Sequence, residues 1–289
     1  METSYLYVHD KFRHLVTASD EERIVFLDEP RWIGYGVAKD VRENLVSLMN
    51  KPKRPIMKNL LVVGDSNSGK TTLIRRFYDL FAQPYVGSQS EGIHPVILIN
   101  APNTKQKDLY ISLLECFCVP FRADYSVVKL RSETISLFKE YKVKMLIIDQ
   151  FHSLLIGEPH SQHQVMNAIK TLCDELQIPF VGVGNRKEMK HFHANPQHNT
   201  YFDVITLPVW KCDREFQQLL YQFQSILPLK KCSNLQEPAM AKNIHAISNG
   251  NIGNVHRLLT ACAVKAITTG TEQITSEIIM AVRQHLPFD

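Results

Sequence analysis

Residues Gly64-Asp65-Ser66-Asn67-Ser68-Gly69-Lys70-Thr71 spell G-x-x-x-x-G-K-T and directly follow the apolar run Leu60-Leu61-Val62-Val63. These residue types at this spacing bind phosphate. Glycines let successive backbone N–H groups converge on an anion, Lys70 adds a mobile positive charge, and the Thr71 hydroxyl can ligate Mg²⁺. The helix-like stretch Thr72-Leu73-Ile74-Arg75-Arg76-Phe77-Tyr78 follows, so the loop lies between a strand and a helix dipole that favours the same anion.

Further along, Met145-Leu146-Ile147-Ile148-Asp149 is an apolar strand ending in an acid. Paired with the loop, it predicts that Asp149 joins Thr71 in holding Mg²⁺, directly or through water. The alternative is an aspartate that merely caps the next helix. Gln150 then occupies the position where an ATP-hydrolysing protein of this kind usually carries a glutamate. An amide cannot act as a general base, although it can orient a water, so Gln150 either supports slow hydrolysis or has no catalytic duty. Phe180-Val181-Gly182-Val183-Gly184-Asn185-Arg186 ends another apolar run in polar groups, making Asn185 either a sensor of the terminal phosphate or a turn residue. Gly253-Asn254-Val255-His256-Arg257 opens a late helix, and Arg257 either reaches the phosphates or sits on a solvated face.

The elements that must position these groups follow from periodicity. Strand-length runs at Leu60–Val63, Val96–Ile99, Lys144–Ile148 and Phe180–Val183 alternate with helical patterns near 71–82, 106–117, 127–141 and 162–176, and Asp203–Pro208 supplies a fifth strand. Such alternation specifies an α/β core, a parallel sheet flanked by helices. After Trp210 the pattern is helical only, near 212–227, 236–248, 253–269 and 274–286, and reads as a small all-helical lid domain. Residues 1–55 form an N-terminal extension in which Ser19 caps a short helix over Asp20–Leu27, and Lys51-Pro52-Lys53-Arg54-Pro55 is a basic linker. The expected division is therefore 1–55, a core at 56–210 and a lid at 211–289.

Composition sets wider bounds. A chain of 289 residues with 44% hydrophobic residues fills a globular core, and a formal net charge of +4 permits nucleic-acid binding without arguing for it. Six cysteines lie mostly in apolar segments with no C-x-x-C pair or zinc-like spacing, so they read as reduced, buried cytosolic thiols. The N-terminus lacks a basic and apolar leader, and no stretch of about 18 apolar residues occurs, so neither secretion nor membrane insertion is expected.

Taken together, these pieces resemble the AAA+ ATPases, and a finer set resembles the TniB/TnsC group of DNA-transposition regulators over nearly the whole chain. Its carriers are Arg31-Trp32-Ile33-Gly34-Tyr35, Asn59 to Gly64 with Asn67-Ser68-Gly69-Lys70-Thr71, Met145 to Asp149 with His152-Ser153-Leu154-Leu155, Ile178-Pro179 with the V-G-V-G run, Leu207-Pro208-Val209-Trp210, and Leu227-Pro228-Leu229. The resemblance implies ATP and Mg²⁺ as cofactors, with Asp65, Ser66, Asn67, Ser68, Gly69, Lys70, Thr71 and Thr72 around the phosphates and Ile33, Gly34 and Tyr35 bordering the adenine. It also implies a bacterial cytoplasmic protein whose subunits assemble into rings or filaments on duplex DNA and link a TniQ-like target selector to a transposase. ATP acts as a switch more than a fuel in that picture. Lys105 and Lys107 in Asn103-Thr104-Lys105-Gln106-Lys107 are its leading DNA contacts, with Ser126 and Arg131 as a second phosphate-binding row; contacts of this kind position a duplex without reading bases.

Two departures from the family pattern bear on catalysis. Gln150 replaces the usual glutamate, and Thr200-Tyr201-Phe202 stands where Asn-Arg-Phe is common, removing an arginine finger from its expected place. Arg186 and Arg214 are the candidate substitutes. Without one, the subunit binds ATP and assembles yet hydrolyses poorly. Two alternative readings are an actively hydrolysing DNA loader or motor and a small-molecule kinase using the same loop.

Overall fold

The computed structural model describes residues 5–29, 33–81, 93–103, 105–155, 158–193 and 201–286. Its contacts divide the chain into two compact units, one drawn from Gly36–Ser66 and Lys70–Leu207, the other from Met1–Tyr35, Asn67–Gly69 and Pro208–Asp289. The expected N-terminal segment 1–55 is thus shared between them.

The first unit is built on five parallel strands: β1 (Asn59–Gly64), β2 (Val96–Asn100), β3 (Met145–Asp149), β4 (Phe180–Asn185) and β5 (Phe202–Thr206), in the spatial order β2-β3-β4-β1-β5. Leu61, Val62, Leu146, Ile147, Val181 and Val183 are fully buried, as expected of strands covered by helices on both faces. Register then decides what meets at the sheet's carboxyl edge. Gly64 pairs with Asn185, Asn100 with Asp149 and Ile148 with Gly182, so the phosphate loop, the strand-ending acid and Asn185 emerge side by side.

Helices α1 (Asp20–Asp28), α2 (Gly36–Met49), α3 (Lys70–Phe81), α4 (Gln106–Glu115), α5 (Val127–Glu140), α6 (Pro159–Leu176) and α7 (Arg186–His193) follow in chain order, α1 belonging to the second unit and the rest to the first. Helix α2 and a 3₁₀ stretch at Asp10–Thr17 add to the expected elements. In α2, Ala38, Val41, Leu45 and Leu48 form a buried stripe, but Lys39, Asp40, Arg42, Glu43 and Asn44 interrupt it in sequence, which disguises the period. Helix α6 starts earlier than expected because Pro159 is pre-organised for the first turn.

The second unit is helical: α8 (Arg214–Gln224), α9 (Pro238–Ser248), α10 (Ile252–Thr268) and α11 (Ser276–Arg283). Asp213, Asn251 and Thr275 cap α8, α10 and α11 through their side chains, and α9 ends on the left-handed residues Asn249 and Gly250. Phe216, Leu220, Ile244, Leu258, Cys262 and Ile279 form its core together with Leu27 of α1. Ser19 caps α1 as expected and completes a reciprocal box with Glu22. Arg23, fully buried, fastens α1 by donating to both Glu272 oxygens at 2.7 and 2.8 Å and to the Pro228 carbonyl at 3.1 Å. Burial alone would raise the Glu272 carboxyl, but the hydrogen bonds from Arg23 and then Lys230 bring it down to about 2.

Cys173 and Cys262 are buried free thiols, and burial pushes the latter up to about 12. Cys118 and Cys212, by contrast, are exposed, because they lie outside regular elements rather than on a core face. Among the described residues no helix is long and apolar enough to cross a membrane, and no cluster of His, Cys, Asp and Glu is arranged to hold a metal.

Candidate nucleotide-binding site

The loop between β1 and α3 turns on Asn67 and Gly69, whose φ angles are 60° and 82°. Left-handed residues of this kind aim consecutive N–H groups into one concavity. Ser68 is buried, Asp65 is half-buried, and Ser66, Asn67 and Thr72 are exposed. Lys70 Nζ donates to the carbonyls of Gly64 at 3.0 Å and Asp65 at 2.7 Å. Burial lowers the pKa of this ammonium group, while the charges of Asp149, Asp65 and Glu188 work in the opposite direction.

Thr71 Oγ1 donates to Asp149 Oδ2 at 2.7 Å, and Gln150 N donates to Asp149 Oδ1 at 2.8 Å. Both oxygens of a carboxylate that is 5% exposed are thereby oriented. A hydroxyl beside a carboxylate is the hard, all-oxygen donor pair that suits Mg²⁺, so the residues present fit the ion. Gln150 itself is exposed and takes the left-handed conformation, with φ 54°. Its backbone holds Asp149.

Asn185, at the end of β4, donates from Nδ2 to Ser66 Oγ at 3.2 Å and from its backbone to His152 Nδ1 at 3.3 Å. It also accepts from Lys187 N at 3.0 Å, which turns the chain into α7, the turn role that the sequence offered as the alternative. His152 Nε2 in turn lies 3.1 Å from Glu188 Oε2. Gly184 packs closely against Met189 here. A Cβ at Gly184 would stand 3.1 Å from Met189 Cγ and 3.4 Å from His152 N. His152 stands in a run that carries the family resemblance but has no role there, and Glu188 stands in no motif. The signal available was the adjacency of the strand ends that the parallel order imposes.

Ile33 is buried in the helical core, Gly34 is exposed, and the Tyr35 ring meets Trp210 edge-on with centroids 5.4 Å apart, joining the W-I-G-Y and L-P-x-W segments. Burial raises the Tyr35 hydroxyl to about 12. Arg31, Trp32, Thr104 and Thr200 lie outside the described residues. Helix α10 opens with Gly253 N donating to the Asn67 carbonyl at 3.0 Å. Arg257, a turn later, is exposed on the rim of a cavity of about 580 Å³ that Leu27, Asp28, His256, Val264 and Leu286 also line.

Helices α4 and α5 pack together. Lys105 stands exposed at the N-cap of α4 with no side-chain cap bond, and Lys107 is half-buried in the first turn. Ser126 caps α5, and Arg131 is paired with Glu175. Arg186 donates to the Leu207 carbonyl at 3.0 Å, whereas Arg214 is exposed at the start of α8. The Tyr201 ring receives Lys170 Nζ at 4.5 Å.

A family model described as bacterial TniB protein matches residues 23–212. The chain belongs to the TniB family. No curated protein matches its sequence. Among solved structures, the Aeropyrum pernix ORC2 protein in ADPNP-ADP complexes is similar at TM-score 0.62 and 14% identity, over 91% of the TniB-family chain and 72% of its own. Cdc6p from Pyrobaculum aerophilum is similar at TM-score 0.62 and 15% identity, over 91% and 71%. The A. pernix ORC1 protein in complex with DNA gives TM-score 0.58 and 15% identity, over 91% and 69%. At these identities the likeness concerns the fold, and this TniB-family chain has an AAA+ P-loop fold with a helical C-terminal region.

Proposed function

We propose that this chain is an ATP-switched assembly protein that oligomerises on duplex DNA and links a TniQ-like target selector to a transposase, with weak ATP hydrolysis. The observation that carries the reading is the Thr71–Asp149 contact followed by Gln150: the groups for holding Mg-ATP are joined, and the next side chain cannot take a proton. TniB membership supports the transposition setting, and the ADPNP-ADP and DNA complexes of the structural neighbours support nucleotide and duplex as ligands.

When bound, Mg-ATP supplies a terminal phosphate whose presence or loss distinguishes two states. Toward it, the Asn67–Gly69 turn offers backbone N–H groups, Lys70 offers charge, and Thr71 with Asp149 offers the metal its oxygen donors. Asn185 reads the phosphate from beside Ser66, and Gln150 orients water without activating it. Ile33, Gly34 and Tyr35 border the base, and Arg257, Arg186 or Arg214 is the source of any further positive charge. Lys105 and Lys107 are the leading DNA-backbone contacts, with Ser126 and Arg131 as a second phosphate-binding row in which Arg131 exchanges Glu175 for phosphate.

Imaging or sedimentation of the protein with a non-hydrolysable ATP analogue and duplex DNA tests this reading. Rings or filaments that need both ligands are expected, and a monomer indifferent to both would overturn it.

A further inference from the structure

A histidine from the run that follows β3 and a glutamate outside every quoted motif meet beside the phosphate loop. His152 sits in the short 3₁₀ turn after β3, and Glu188 in the first turn of α7. The Asn185 backbone N–H can only donate, so His152 Nδ1 must be the acceptor at 3.3 Å, which puts the ring proton on Nε2, directed at Glu188 Oε2 3.1 Å away. The neutral ring is therefore fixed at both nitrogens. Its acceptor end fixes the residue whose amide side chain donates to Ser66 of the phosphate loop.

We infer that His152, oriented by Glu188, is the positioning residue for Asn185, and that the pair sets how strongly the site prefers a nucleoside triphosphate over a diphosphate. The inference rests on the nucleotide-switch reading. Asn185 can distinguish the two ligands only if its amide is held where the terminal phosphate falls: Lys187 N and Ser66 hold the amide, and His152 holds the backbone from which it springs. Three features support a built arrangement. Gly184 brings β4 close under this turn, since a Cβ there would press on the Met189 side chain at 3.1 Å and touch His152 N at 3.4 Å. His152 is only 22% exposed although it carries two polar nitrogens. Glu188 also contributes charge at Lys70, so its carboxylate belongs to the same electrostatic neighbourhood as the phosphate loop.

Glutamine reproduces the ring's two roles, with Oε1 accepting from Asn185 and Nε2 donating to Glu188, whereas alanine reproduces neither. Equilibrium binding of a fluorescent non-hydrolysable ATP analogue and of the matching ADP is therefore compared in wild type, His152→Gln and His152→Ala. Wild type and His152→Gln are expected to keep a similar preference for the analogue. His152→Ala is expected to lose about tenfold of it, with ADP affinity unchanged as the sign of an intact fold. The inference is overturned if wild type shows no preference, if His152→Ala retains it, or if His152→Gln loses as much as His152→Ala. Failure of wild type to bind either nucleotide would instead defeat the nucleotide-switch reading itself.

Discussion

Thr71 Oγ1 hydrogen-bonds to Asp149 Oδ2 at 2.7 Å, tying the second residue of α3 to the last residue of β3. Removing either breaks this contact and takes one of the two oxygen donors from the metal, so they should act on nucleotide affinity as a unit. Thr71→Ala and Asp149→Asn are each expected to weaken Mg-ATP binding roughly tenfold or more, with little further loss in the double variant. Calorimetric titration with and without Mg²⁺ checks this, and additive losses that persist without Mg²⁺ would count against a shared metal site.

Gln150 carries the rate prediction. Its backbone amide already holds Asp149 Oδ1, and its exposed side chain follows the strand where a base would be needed. Gln150→Glu restores a proton acceptor without altering the backbone bond, so steady-state phosphate release in the presence of DNA should rise by about 10²-fold. A parental chain that already turns over as fast as the variant would contradict weak hydrolysis.

Lys105 and Lys107 lie at the start of α4, Lys105 exposed and without a capping bond. Replacing either with alanine should weaken binding to unrelated duplexes alike and reduce the salt slope by about 1, leaving nucleotide affinity nearly intact. Arg131→Ala should do less, because that guanidinium is paired with Glu175. Fluorescence anisotropy across a salt series measures all three, and unchanged binding in the lysine variants would remove them from the interface.

The Arg23–Glu272 pair gives a pH dependence. Glu272 is held down at about 2 in the folded chain against an ordinary 4.5, so its contribution is fully present above about pH 4.5 and is lost as pH falls toward 2. Glu272→Gln should lower the thermal midpoint near neutrality and narrow its gap from wild type across that acid window. Arg23→Ala should be destabilising by about 3–5 kcal/mol because it leaves a buried carboxylate without its main partner. Calorimetry from pH 7 down to 2 checks both. A midpoint difference that does not change with pH would contradict the assignment.

The parallel sheet and the helical unit were legible because buried strands of Leu, Ile and Val alternate with amphipathic segments such as Lys70–Phe81, and because Asp213, Asn251 and Thr275 announce helix starts. Helix α2 was not, since consecutive charged residues break its stripe in sequence while leaving it continuous in space. The phosphate loop and Asp149 were legible from spacing. His152 and Glu188 were not, because their relation exists only once β3 and β4 are neighbours and the turns after them meet. The division of residues 1–55 was hidden for a similar reason: Arg23 finds Glu272 across nearly the length of the chain.

The central claim, that Thr71, Asp149 and Gln150 make a site that holds ATP rather than consuming it, is tested by identifying the nucleotide retained in protein–DNA complexes formed with radiolabelled ATP. Intact ATP is expected to predominate over many minutes at saturating duplex. Complexes that contain mainly ADP while free phosphate accumulates would contradict it.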